Sequence, residues 1–268
     1  MEKSLRLDAR ESAELAEHGF VIRHKVFEAG ERSAIGAACE ALVQRLLAEK
    51  RRTKRTAGSY MFEFQRTLGT IVKWEPDAPD LMQGVEVFAH LSEDLRRWAF
   101  DRRLVEPCKD LVGEDEVILF TEKLNLKRAH RGGSIILHQD FPYWRDLTEA
   151  ARRVATAMLF LDEATLDNGC LEVVPGSHRE GLQARRAVDG LGGLEIDPAT
   201  YDESRLVPLP VEAGAVVFFG PLLVHRSMPN RSGADRRALL YSYQPTGYRH
   251  LGELTRLASK PTASSPAA

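Results

Sequence analysis

The sequence predicts a mainly β fold with flanking helices, its strands closing as a barrel or a double-sheet jelly roll. Three observations carry that reading. From about residue 116 onward, short apolar runs of strand length recur: Val117 to Phe120, Ile135 to His138, Val154 to Leu161, Leu171 to Val174, Ala215 to Phe219 and Ala238 to Tyr243. Turn residues punctuate them at Gly132-Gly133, Asn168-Gly169 and Pro175-Gly176. Short strands separated by such signals are the pattern of antiparallel β architectures. Apolar residues at three- and four-residue spacing, the helical period, lie instead in the N-terminal third.

Taken in order, residues 9–18 read as a short helix ended by Gly19, and Phe20-Val21-Ile22 as a short strand. Residues 29–50 read as a helix, because Ile35, Cys39, Leu42, Leu46 and Leu47 recur on one face. The run Lys50-Arg51-Arg52-Thr53-Lys54-Arg55 reads as a solvated helix end and loop, where cations are favourable. Residues 80–111 read as helix in two pieces. In the β region, Leu166-Asp167-Asn168-Gly169-Cys170 reads as a hairpin, since Asn-Gly fits a type I′ turn. The segment from Ser259 is small, polar and Pro-containing, which predicts a disordered tail. One domain is therefore expected over residues 1–258, a helical N-terminal third packed around a β core of about 115–245.

Composition narrows the function. A net charge of −2 offers no basic surface for nucleic acid or an anionic membrane. No apolar run approaches a membrane span. The segment MEKSLRLDARESAELAEHG is charged and has no signal-peptide core, so a cytoplasmic protein is expected. Cys39, Cys108 and Cys170 are far apart and odd in number, so they read as buried thiols and not as a disulfide framework.

The chemistry-bearing pattern is His138-Gln139-Asp140 with His225 far downstream. On a strand, side chains alternate, so His138 and Asp140 are expected on one face. A second imidazole completes a two-His, one-carboxylate facial triad, the set that holds non-haem Fe(II) with positions left open. His18, His24, His90, His130 and His250 read as structural, as does His178 in its Pro-Gly-Ser-His turn. Asp162, Glu163 and Asp167 flank a turn and read as solvated.

Several segments then follow one another in order. Asn125 precedes His138-Gln139-Asp140-Phe141-Pro142-Tyr143-Trp144; next come Asn168 to His178, His225 to Ser232, and Arg236-Arg237. Together they resemble the phytanoyl-CoA dioxygenase superfamily of Fe(II)/2-oxoglutarate oxygenases, strongly over about 115–245. The compact length and the His-x-Asp-Phe-x-x-Trp stretch are most similar to the bacterial small-molecule branch, which includes ectoine and free amino-acid hydroxylases. The resemblance implies a double-stranded β-helix, cupin-like core. It implies that His138, Asp140 and His225 ligate iron. Arg236, eleven positions after His225, matches the arginine that pairs with the distal carboxylate of 2-oxoglutarate. A planar guanidinium suits that task, because it binds a carboxylate bidentately. Arg231 and Arg237 are the nearby alternatives. Ser227 and Asn125 match further cosubstrate contacts, Thr121 sits where some relatives have glutamine, and Trp144 matches an aromatic wall of the site.

The expected cofactors are Fe(II), 2-oxoglutarate and O₂, and the expected outcome is hydroxylation of a small molecule with release of succinate and CO₂. Halogenases of the superfamily have a small residue at the ligand carboxylate, so Asp140 argues against halogenation. Phe141, Tyr143, Arg66, Lys73 and Tyr243 are candidate substrate contacts. An amino-acid-like or natural-product intermediate is the leading substrate class and an acyl-CoA the second. Desaturation, cyclisation or epimerisation are alternative outcomes of the same chemistry. A non-enzymatic, cupin-like metal-binding protein is the rival, but it has no use for Arg236 and Ser227.

Overall fold

The computed structural model describes residues 5–49, 54–57, 60–186 and 195–258. Asp8 caps helix α1 (Ala9–His18) with a reciprocal capping box to Glu11, and Gly19 ends it at φ 86°. Strand β1 (Phe20–Arg23) and helix α2 (Ala29–Leu47) follow, with Ile35, Cys39, Leu42 and Leu46 buried.

The N-terminal third is less helical than expected. Four antiparallel strands occupy residues 54–86: β2 (Lys54–Ala57), β3 (Tyr60–Gln65), β4 (Thr70–Glu75) and β5 (Ala78–Glu86). Residues 80–86 are therefore strand, and the two expected helices are shorter: α3 (Glu93–Trp98) and α4 (Arg102–Val112). The physical reason is visible in β3, whose alternation is inverted. Glu63 and Gln65 are buried while Phe64 is 55% exposed. Glu63 accepts hydrogen bonds from Trp74 Nε1 at 3.0 Å and Gln65 Nε2 at 3.1 Å. A carboxylate satisfied in this way is tolerated inside, and it hides the usual apolar period. Of the basic run, residues 50–53 lie outside the described residues. Lys54 is in strand β2, its ammonium 4.0 Å above the Trp74 ring, so it is not the end of a solvated loop. The expected tail from Ser259 also lies outside the described residues.

The β region contains β6 (Val117–Lys127), β7 (Ile135–His138), the single turn of helix α5 (Phe141–Trp144), β8 (Ala155–Phe160), β9 (Leu171–Val173), β10 (Val207–Leu209), β11 (Val216–Phe219), β12 (His225–Ser227) and β13 (Arg236–Pro245), followed by α6 (Leu251–Ala258). They form two antiparallel sheets of a jelly-roll core: one of nine strands, β1-β11-β8-β13-β6-β5-β4-β3-β2, and one of four, β10-β9-β12-β7. Between the sheets lie Met158, Phe160, Leu171, Val173, Val217, Phe219 and Leu240. The other face of the large sheet, with Leu159, Phe218, Leu239 and Tyr241, is covered by α2, α3 and α4. Among the described residues no helix is long and apolar enough to cross a membrane.

The Asn168-Gly169 segment is not a hairpin. Strand β8 pairs with β11 and β13 in the large sheet, whereas β9 pairs with β10 and β12 in the small one, so the segment carries the chain between sheets. The Asn168 side chain accepts from Thr165 N and donates to Glu163 O, both at 2.8 Å, and only Gly169 has positive φ, at 73°. A type I′ turn needs positive φ at both central residues. A Cβ at Gly169 would stand 2.0 Å from Met228 O. Gly169→Ala is accordingly expected to destabilise by more than about 2 kcal/mol, strain and clash together. A thermal melt unchanged within a degree would refute this.

Candidate metal centre

The small sheet and α5 bring three ligand side chains together. Cross-strand register pairs His225 of β12 directly with His138 of β7, and their ring centroids are 4.2 Å apart. Asp140 joins them by a different route from the expected strand alternation. It lies beyond the end of β7, with α-helical backbone (φ −72°, ψ −31°), at the N-cap of α5. The turn, not the pleat, aims its carboxylate, and His138 Nε2 is 3.9 Å from Asp140 Oδ1. One donor atom from each of the three residues lies within 4.8 Å of the others, and all three residues are buried.

The hydrogen bonds select the tautomers. His138 Nδ1 contacts Ile136 O at 2.7 Å and His225 Nδ1 contacts Leu223 O at 2.9 Å. A carbonyl oxygen only accepts, so each Nδ1 carries a hydrogen, and Nε2 is the nitrogen that can offer a lone pair to a metal. Burial, then the second imidazole, pushes the His138 pKa down to about 3, so that ring is neutral near pH 7. Burial disfavours the Asp140 carboxylate, but neighbouring positive charge, Lys123 first, outweighs it and holds its pKa below the ordinary value. Two imidazole nitrogens and one carboxylate converging in this way form a donor set that fits a divalent metal. Neighbouring rings hold the ligands in place: Tyr143 packs edge-on to His138 at 5.8 Å, and Phe219 of the large sheet edge-on to His225 at 5.2 Å.

The facing wall belongs to the large sheet. Along β6 and β13, register places Lys127 opposite Arg236, Asn125 opposite Ala238, Lys123 opposite Leu240 and Thr121 opposite Ser242. Arg236 is fully buried. Its Nη2 donates to Gly169 O at 2.5 Å, while Nε and Nη1 have no partner. Burial lowers its pKa to about 10, which leaves it charged at neutral pH. The Ser227 hydroxyl is likewise buried and unpartnered. It precedes Met228, whose carbonyl accepts from Lys127 Nζ at 2.7 Å. Buried donors of this kind are rare, and a buried unpaired guanidinium is costly. The N–H groups of Arg236 and the Ser227 hydroxyl therefore fit a carboxylate.

Arg237 and Arg231 do not compete for that role. Arg237 faces the other way, donating to both oxygens of Asp162 at 2.9 Å and lying 3.6 Å from Glu40. Asp162 is thus a paired carboxylate and not a solvated one. Arg231 is exposed.

The remaining candidates divide. Thr121 is buried and donates to Glu86 Oε1 at 3.2 Å. Asn125 is half-buried, opposite Gly84 of β5. Trp144 belongs to an apolar cluster with Phe120, which it meets edge-on at 5.7 Å, and it lies 5.2 Å below the Lys123 ammonium. It therefore backs Lys123, the lysine beside Asp140. Phe141 lies 4.6 Å beneath the Arg152 guanidinium. Lys73 does approach the site, in register with Gly84 and through it with Asn125. Tyr243 does not, because it points into the helical layer and donates to Ala99 O at 2.7 Å. Arg66 is exposed in the turn between β3 and β4, three strands from β6.

Sequence reasoning missed several groups. Lys123 Nζ is 3.8 Å from both Asp140 Oδ1 and Glu86 Oε1. Burial disfavours its charge, but the two carboxylates more than compensate and raise its pKa. Lys127, pushed down to about 6 by burial and then by Arg236, lies beside that arginine. Both were findable, since Thr121, Lys123, Asn125 and Lys127 alternate along one strand. Glu195 bridges His138 along the edge of β7 and is held by Arg186 Nε at 2.9 Å; no local pattern announces it. His250, expected to be structural, contacts buried Glu122 at 2.8 Å, and His178 packs against Gly19.

Comparison with known proteins agrees with this geometry. A family model described as phytanoyl-CoA dioxygenase matches residues 15–238. Phytanoyl-CoA dioxygenase domain-containing protein 1 of Bos taurus is 36% identical over 121 residues, covering 43% of this chain and 40% of that protein. L-proline trans-4-hydroxylase of Streptomyces griseoviridis is 32% identical over 158 residues, covering 52% of this chain and 59% of that protein. Both matches thus span less than two thirds of the relative. Among solved structures, EctD from S. alaskensis with 2-oxoglutarate and 5-hydroxyectoine superposes with a TM-score of 0.69 at 23% identity, covering 93% of this chain and 80% of that one, a likeness of fold.

Proposed function

The chain belongs to the phytanoyl-CoA dioxygenase family, and from that premise we propose that it is an Fe(II)- and 2-oxoglutarate-dependent dioxygenase hydroxylating an unactivated C–H bond of a small molecule. One observation carries the reading: a fully buried Arg236 with two unpartnered nitrogens faces the sheet that bears His138 and His225. A metal-binding protein without a 2-oxoacid has no use for that charge. Amino-acid hydroxylation by a relative favours a compact polar substrate over an acyl-CoA.

Iron(II) with 2-oxoglutarate and O₂ supplies oxidative decarboxylation to succinate and CO₂ together with oxygen transfer to carbon. The protein's part is ligation, positioning and exclusion of water. His138 Nε2, His225 Nε2 and the Asp140 carboxylate hold the metal. Ile136 O and Leu223 O fix the two ring tautomers, and Lys123 steadies Asp140. The N–H groups of Arg236 take the distal carboxylate of the 2-oxoacid, with Ser227 and Lys127 beside it. Asn125 and Thr121 line the same floor, and Tyr143 closes the side at His138.

Anaerobic protein mixed with Fe(II) and 2-oxoglutarate is expected to develop a weak visible charge-transfer band, and with substrate and air to release succinate one-for-one with product. Absence of the band, together with no succinate across a broad panel of small molecules, would sink the proposal.

A further inference from the structure

Among the described residues, Lys73 is a cation without an ion partner, placed at the open end of the proposed site. Register aligns Phe62, Lys73, Gly84 and Asn125 across four neighbouring strands, so they share the face that looks onto the metal centre. Gly84 contributes no side chain to this row, and a Cβ there would come 3.5 Å from Asn125 Oδ1. Such a Cβ would also stand 2.7 Å from Leu124 O, so only glycine fits here and no side chain stands between Lys73 and Asn125 in this row. With strands about 4.8 Å apart, the backbone of Lys73 stands two strand spacings, about 10 Å, from β6.

The surroundings of its ammonium are unusual for a surface lysine. It is half-buried, 5.5 Å from the Tyr60 ring centroid and 5.7 Å from that of Phe62. Among the described residues it makes no hydrogen bond or ion pair. Its nearest counter-charges are already engaged: Glu86 takes a hydrogen bond from Thr121 and lies 3.8 Å from Lys123, and Asp140 is a proposed metal ligand. Burial holds the Lys73 pKa below the ordinary value, which marks a charge left under-compensated. Buried Tyr60 in turn neighbours Tyr143, which packs edge-on to His138, so aromatic rings run from Lys73 to the metal centre. The carboxylate-binding end around Arg236 and Lys127 lies on β13 and β6, away from Lys73.

We propose that Lys73, set beside the Tyr60 and Phe62 rings, receives an oxyanion of the substrate, a carboxylate, phosphonate or phosphate, so that the substrate is a small anion anchored by its charged end. This rests on the oxygenase reading, because it takes the Arg236 end to be filled by 2-oxoglutarate.

The test uses full-length protein loaded with Ni(II), as an oxygen-inert stand-in for Fe(II), and saturating 2-oxoglutarate. Butyrate, n-propylphosphonate and the neutral butyramide are titrated by calorimetry. At least one anion is expected to bind wild type, and butyramide at least tenfold more weakly. Lys73→Met should weaken the anion at least tenfold, whereas Lys73→Arg should hold it within threefold. The melting temperature of neither variant should fall below wild type. Preference for butyrate assigns a carboxylate, and preference for propylphosphonate a dianion. The proposal falls if neither anion binds wild type, if butyramide binds as well as butyrate, or if Lys73→Met binds the anion unchanged. If Ni(II) and 2-oxoglutarate themselves fail to bind, the oxygenase reading falls instead, and Lys73 is scored by the same anion titrations on the apoprotein.

Discussion

Asp140→Asn is expected to fold as wild type and to lose metal-dependent turnover by a factor on the order of 10³. The substitution keeps shape and volume and removes only the charge. Asp140 is the one anion of the donor set, because both histidines are held with Nδ1 protonated and contribute neutral Nε2 atoms. Removing one partner from a buried charge pair costs about 3–5 kcal/mol, and roughly 1.4 kcal/mol corresponds to each tenfold change. Lys123 sharpens the effect, since its ammonium is 3.8 Å from Asp140 and retains only Glu86 at similar range in the variant. An uncompensated cation beside the metal position opposes a divalent ion. Metal content after dialysis against excess Fe(II), read together with succinate release, measures the outcome. An Asp140→Asn protein that retains iron and turns over within tenfold of wild type would remove Asp140 from the ligand set.

The ligand residues were legible in the sequence for a local reason. His138-Gln139-Asp140 is contiguous, and His225 and Arg236 sit at a fixed offset along adjacent elements, so short motifs capture them. How Asp140 reaches the metal position was not legible, because the strand ends at His138 and the next residues turn helical. Tyr243 shows a signal that was present and unused. It is seven residues from Arg236, an odd number, so the pleat of β13 sends the two to opposite faces. Arg236 points between the sheets, whereas Tyr243 points into the helices. The four strands of residues 54–86 were illegible for the opposite reason: β3 buries Glu63 and Gln65 and exposes Phe64, so the period-two pattern is present with its meaning reversed. The Asn168-Gly169 signal marked a turn correctly but not its partners, which are set by which sheet each flanking strand joins.

Arg236→Met is expected to do two opposite things: to raise the stability of the cosubstrate-free protein and to abolish its response to 2-oxoglutarate. In the wild type the guanidinium is buried with two unpartnered nitrogens, and its pKa is depressed to about 10 by burial. For a base whose folded pKa is depressed, the charged form is penalised on folding. That penalty is fully present below about pH 10 and lifts as pH rises toward the ordinary arginine value. At neutral pH the charge therefore weighs against the apo fold by a few kcal/mol, and replacing a buried charge with an apolar side chain of similar volume commonly stabilises by about 1–4 kcal/mol. The gain is partly offset, because Gly169 O loses its donor. A net rise of a few degrees in apo melting temperature follows, at about 2–4 °C per kcal/mol for a chain near this size. Binding shows the reverse. Two charge-assisted hydrogen bonds are worth roughly 1.5–3 kcal/mol each, so affinity for 2-oxoglutarate should fall by about 10² to 10⁴. Wild type should gain thermal stability with saturating 2-oxoglutarate and metal, whereas the variant should not. A purely structural arginine predicts the contrary pattern, lower apo stability with an intact cosubstrate shift, and that pattern would remove the carboxylate from Arg236. A second variant separates the charge from the planar fork: Arg236→Lys should recover part of the affinity but not the bidentate geometry, leaving 2-oxoglutarate weaker than wild type yet tighter than Arg236→Met.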